Sequence, residues 1–183
     1  RLRMSDRLNS PDPVRKVALT SFVEQYQANI KREWPRRYLG QAAVGSVHTY
    51  GVLEEDGMTK ALIGIDWQAR QYRKDVPDAM PIDKGQSAVA RSLLVLVRNA
   101  GVKTPGGQAV SSAHCPKCGA PETVADSNAC ENCGAVLNDS SQGWMMQDFL
   151  SIHTPEAARL LTSVQGMDGD LLTGMPQAPR MRA

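Results

Sequence analysis

The chain has 183 residues, 42% hydrophobic and 22% charged, a globular composition that excludes wholesale disorder. Its net charge of +2 is too near zero for a dedicated nucleic-acid binder with an overall basic surface. The longest aliphatic run, Leu93 to Val97, falls far short of the ~20 apolar residues that a membrane-spanning helix needs.

With 15 Gly, 11 Pro and only 5% aromatic residues, the core must lean on aliphatic side chains between frequent turns. A chain of this length buries roughly 70% of its unfolded surface, so disulfide staples are not required. It opens on Arg1 with no charged-then-apolar signal segment, which reads as the ordered part of a longer protein and leaves room for an anchor upstream.

Residues 1–12 read as an extension or linker, with a short helix over residues 1–9 as the other reading. Asp12-Pro13 then opens a helix, since Asp caps and Pro suits the first turn. Val14, Ala18, Phe22, Tyr26, Ile30 and Trp34 recur every four residues, predicting one amphipathic helix that stops before Pro35. Beyond Gly40, Ala43–Glu54 and Met58–Arg70 read as two strands joined at Asp56-Gly57, a β-hairpin.

Residues 72–86 read as a loop around a short extended piece. Ala88–Arg98 is a third strand, apolar on both faces and therefore central. Residues 143–152 read as a fourth strand or a strand-to-helix segment. The expected fold is α+β: a helix packed on a curved, cone-like antiparallel sheet, with a small insert before the last strand. Residues 13–153 form this domain, and residues 154–183 a C-terminal helix, capped by Thr154 and stopped at Gly166, followed by a tail.

All four cysteines lie in the insert, residues 112–140, as Cys115-Pro-Lys-Cys118-Gly and Cys130-Glu-Asn-Cys133-Gly. Each CxxC turn converges two sulfurs, and the following Gly119 or Gly134 can take the left-handed conformation that aims backbone amides at them. Two facing knuckles satisfy a tetrahedral Zn²⁺ with four thiolates, a structural zinc ribbon with no coordination position left for catalysis. A pair of disulfides would not call for the paired glycines. A redox CxxC normally opens a helix, which Gly119-Ala-Pro121 would stop at once. His114 is not needed as a fifth ligand.

From Thr104 to His153 the single basic residue is Lys117, against Glu122, Asp126, Glu131, Asp139 and Asp148. Zinc with four thiolates adds a further negative charge, so a phosphate backbone would be repelled and no nucleic-acid partner is expected.

The order of these elements resembles a known family. A helix leads into a hairpin, then "RQYRKDV", a Pro/Gly loop, "LLVLVRNAG", the CPxCGAP…CxxCG ribbon, and "GWMMQDF". This resembles bacterial relatives of the membrane-docking domain in subunit 44 of the mitochondrial inner-membrane translocase, specifically those carrying an inserted zinc ribbon. Their fold is the cone typified by nuclear transport factor 2. The resemblance covers about residues 14–152, and rests on the ribbon's position, Arg98 closing the apolar strand and Trp144 opening the next. It departs where Leu94 and Val95 stand in place of an expected aromatic.

What the resemblance implies is attachment: a non-catalytic adaptor or scaffold subunit of a larger assembly, at the cytoplasmic face of an inner membrane. The residues agree in part. Arg1 to Tyr38 holds nine Lys/Arg against four acids, and Lys31, Arg32, Arg36 and Arg37 cluster around Trp34 in a basic-aromatic arrangement suited to an anionic membrane surface. The other reading of that cluster is a set of cations complementing a helix C-terminus. In the tail, the spaced Leu171, Leu172 and Met175 suit grooves on partner subunits. The competing functions are an enzyme or small-ligand binder using His48, Tyr50 and Asp66 as an acid–base set, and a nucleic-acid zinc ribbon disfavoured by charge.

Overall fold

The structure, a computed structural model, describes residues 2–30, 34–103, 115, 117–121, 129–137, 140–141 and 143–165. Three short helices come first: α1 (Leu2–Leu8), α2 (Asp12–Arg15) and α3 (Thr20–Ala28). Five strands follow, β1 (Arg36–Glu55), β2 (Met58–Lys74), β3 (Ile82–Gln86), β4 (Ala90–Asn99) and β5 (Met145–Ser151), and then α4 (Pro155–Gln165). The fold is α+β. The sheet is antiparallel, curved and unclosed, in the order β1-β2-β4-β5, with β3 also pairing β2.

The single helix predicted from residue 13 to 34 is corrected to two, broken at Val17-Ala18-Leu19. Tertiary pairing wins over helical periodicity there. Leu19 N–H donates to the Met146 carbonyl at 2.9 Å, and Met146 N–H donates to the Val17 carbonyl at 2.7 Å. This segment thus forms a parallel bridge to β5, with Val14 and Ala18 fully buried beneath it. Helix α3 ends at Ala28 with Asn29 as its cap, short of the predicted stop at Pro35.

Nor are residues 2–8 a linker: α1 is part of the body. Ser5 is buried, Tyr26 O–H donates to Asp6 at 2.6 Å, and Arg3 lies 4.3 Å from the Trp67 ring centroid. Burial and the Asp6 hydrogen bond both hold the Tyr26 phenol above its usual range.

The hairpin is longer than its apolar pattern suggests. Strand β1 starts at Arg36, because Tyr38 faces Tyr72 across the sheet and their rings stack at 5.4 Å. Asp56 and Gly57 both have positive φ, 52° and 73°, the two-residue turn whose twist matches the flanking strands. Three irregularities in the β1–β2 register, after Gly40, Val44 and Thr49, bend the edge strand.

Two cores result. On one face, Leu62, Leu93, Val95, Val97 and Met145 pack with Ala157, Leu160 and Val164 of α4. Helix α4 begins as expected, with the Thr154 hydroxyl accepting from Ala157 N–H at 3.3 Å. On the other face, Leu94, Leu96 and Met146 pack with Val14 and Val23 of the N-terminal helices and with Ala18 between them. Strand β4 therefore supplies alternate residues to both cores, the physical reason for its unbroken apolar run.

Candidate metal centre

The insert leaves β4 and returns to β5, and its base is closed by side chains from the end of β4 and from the segment just before β5. The Arg98 guanidinium lies 4.3 Å from the Trp144 ring centroid. Beside it, Ser140 donates its hydroxyl to Asn99 Oδ1 at 2.7 Å, and Asn99 N–H donates to the Ser140 carbonyl at 3.2 Å.

The two knuckles match bond for bond. Gly119 N–H donates to the Cys115 carbonyl at 2.9 Å, and Gly134 N–H to the Cys130 carbonyl at 2.8 Å. Cys115 N–H and Cys130 N–H donate to the Ala120 and Ala135 carbonyls, both at 2.8 Å. Gly119 and Gly134 have φ of 73° and 67°, the left-handed conformation expected of them. The Ala120 and Ala135 amides hydrogen-bond the sulfurs of Cys118 and Cys133. A bridge between Ala129 and Val136 frames the second knuckle, and Ala135 and Leu137 form a small core with the cysteines.

Cys115, Cys118, Cys130 and Cys133 bring their four Sγ atoms within 4.8 Å of one another. Cys115 and Cys133 are 3.8 Å apart, as are Cys118 and Cys130. A disulfide needs about 2.05 Å, so these are thiols arranged around a point rather than bonded in pairs.

Their proton affinities are pulled apart. The Asn132 amide, 3.4 Å away, and the Ala120 amide bring Cys118 down to about 6. The Ala135 amide acts in the same sense on Cys133, but burial and the neighbouring sulfurs push it up to about 11. Four such groups cannot all ionise side by side without a cation between them. The donor set and its spacing fit a metal ion, with all four positions filled by protein. Asn132, which sequence reasoning missed, sits inside a CxxC, where only the fold reveals its reach to the opposite knuckle.

The other predicted residues are placed as follows. His48 and Tyr50 meet on β1, ring centroids 4.6 Å apart. Asp66 engages other partners: Arg91 Nε at 2.6 Å, Arg91 Nη2 at 3.1 Å and the Ser46 hydroxyl at 2.8 Å. Arg91 first, and then Ser46, lower the Asp66 carboxyl to about 2. So held, it is an ionised cross-link between β1, β2 and β4, without a proton to give near neutrality. The His48 ring covers Gly64, occupying the space that a Cβ there would need.

Of the basic-aromatic cluster, Arg36 turns inward. It is 7% exposed, and Nη2 donates to the Asp6 carbonyl in the last turn of α1 at 2.9 Å. Arg37 is exposed. Trp34 lies half-buried between Arg36 and Lys74, 5.6 Å and 5.8 Å from its ring centroid. Lys31 and Arg32, with Leu171, Leu172 and Met175 of the tail, lie outside the described residues, as does His114.

Among the described residues, no helix is long and apolar enough to cross a membrane. No family model, curated protein or solved structure matches the chain.

Proposed function

We propose that this chain is a non-catalytic adaptor or scaffold subunit that rests on an anionic membrane surface and holds partner proteins through its C-terminal tail. The observation that carries this reading is the Trp34–Lys74 contact at the end of the sheet that also bears the exposed Arg37. An amphipathic ring and two cations from separate strands gather at one end of the sheet. Such a pairing of aromatic and basic groups suits the headgroup region of a bilayer, where each cation contributes about 1 kcal/mol. The cytoplasmic face of an inner membrane fits the resemblance in the sequence.

The ion is Zn²⁺ in this reading. Bonds of about 2.3 Å to four sulfurs at tetrahedral angles give sulfur–sulfur edges of about 3.8 Å, the separation found for both close pairs. Zinc so held supplies folding energy to an insert with little core of its own.

The tail carries the partner contacts, with Leu171, Leu172 and Met175 as its apolar anchors. Truncation after Gly166 tests this directly. The shortened chain should keep its folded spectrum yet migrate alone on native gels of cell extract, where the full chain migrates in a larger assembly. Unchanged migration on truncation would remove the scaffold reading. An enzyme or small-ligand role through His48 and Tyr50 has weaker support, because Asp66 is committed to Arg91.

A further inference from the structure

Next to the cluster around Trp34, three strands bring like charges together. Arg37 of β1 is the direct cross-strand partner of Arg73 of β2. Arg73 in turn faces Ile82 of β3, and alternation puts Lys84 on the same face as Ile82. Like charges directly opposite in an antiparallel pair are destabilising, so the sheet tolerates a cost at this position. Asp75 offsets Arg73 in part, through an ion pair at 2.6 Å. Asp83, the nearest acid on β3, is held by Arg70 at 2.7 Å. Among the described residues, Arg37 and Lys84 have no ion-pair partner.

These cations line a cavity of about 380 Å³, open to solvent, shared with Tyr38, Leu39, Gln71 and Tyr72. That volume lies in the range of small-ligand sites. Among the described residues, no carboxylate lines it. Two guanidinium forks and one ammonium, with the Gln71 amide as a further donor, match a compact multivalent anion better than a single carboxylate.

We propose that Arg37, Arg73 and Lys84 form a binding site for a phosphate-bearing group, borne either by a lipid headgroup or by a soluble phosphorylated molecule. The site lies at the same end of the sheet as the Trp34–Lys74 contact, on the opposite face by strand alternation; it deepens the membrane reading, though phosphate recognition can stand without the membrane. Bound phosphate would neutralise the opposed Arg37–Arg73 pair.

The test uses the zinc-loaded full chain, with inorganic pyrophosphate as the soluble probe and vesicles of phosphatidylglycerol in phosphatidylcholine as the membrane probe. Pyrophosphate should shift backbone amide signals of residues 37–39, 71–73 and 84, and raise the melting temperature. The double variant Arg37→Gln/Lys84→Gln, altered only at exposed positions, should bind pyrophosphate at least tenfold more weakly. Arg37→Gln alone should melt higher than the parent in phosphate-free, low-salt buffer, because it relieves the opposed pair.

Absence of localised shifts, or equal affinity of the double variant, would overturn the site. Pyrophosphate binding competed by the vesicles identifies a headgroup as the source. Pyrophosphate binding without vesicle binding upholds the site with a soluble source and contradicts the membrane reading. Vesicle binding without pyrophosphate binding does the reverse.

Discussion

Arg98 and Trp144 clasp each other at 4.3 Å across the two ends of the cysteine insert, so the strands that carry it are held together without help from the metal. A cation over an indole contributes on the order of 0.5–2 kcal/mol, and the Asn99–Ser140 hydrogen bonds reinforce it. The insert and the sheet are therefore expected to lose structure separately.

The first expectation is one metal ion per chain, zinc on the reading above, with four thiols protected from titration until a chelator is added. Removing the ion, or replacing Cys118 with Ser, should release the knuckles while the amide signals of β2 and β4 stay dispersed. Elemental analysis with thiol counting checks the first part, and amide spectra check the second. A metal-free chain with two disulfides would contradict it.

Gly51 is set by its neighbour on α4: Val164 Cγ1 occupies the position that a Cβ at residue 51 would take. Gly51→Ala should therefore cost roughly 1–3 kcal/mol in urea unfolding, as overpacking does. Combining it with Val164→Ala should recover part of that loss, a coupling of roughly 0.5–3 kcal/mol in a double-mutant cycle. Strict additivity would place α4 differently.

Asp66 offers a pH test. Its carboxyl titrates at about 2, lowered by Arg91 and then by Ser46, against about 3.9 in an unfolded chain. A depressed carboxylate favours the folded state above the unfolded value. That contribution disappears as the pH falls through the folded one, here from about 4 toward 2. Carboxyl carbon shifts should show a midpoint near 2 in the parent, moving upward toward the ordinary value in Arg91→Gln. A parent midpoint near 4 would mean that the ion pair does not hold the carboxylate.

Much of this architecture was legible in local pattern. The Asp56-Gly57 turn, the two-faced run Leu93–Val97, the Thr154 cap and the twin knuckles are each decided by residues within a few positions of one another. What escaped depends on distant partners. The helix break at Ala18 follows from hydrogen bonds to Met146, far along the chain, and no local breaker announces it. The early start of β1 was hidden because Arg36, Arg37 and Tyr38 lack an apolar alternation, and only the facing Tyr72 shows why they pair. The same limit applied to the surfaces. Charge counting found Arg36 and Arg37 together, but alternation with burial sends one to the α1 carbonyls and the other to solvent. Arg73 and Lys84, remote in sequence, join Arg37 only through the strand register.

The membrane assignment is tested most directly by co-sedimentation of the zinc-loaded chain with phosphatidylglycerol vesicles across a salt series. Screening over about 8–10 Å predicts binding at low ionic strength that weakens steadily as salt rises. Replacing Arg37 and Lys74 with Gln should lower the bound fraction severalfold at low salt, while neutral vesicles leave both proteins in the supernatant. Equal sedimentation of parent and variant, or no sedimentation of the parent at low salt, would contradict the account.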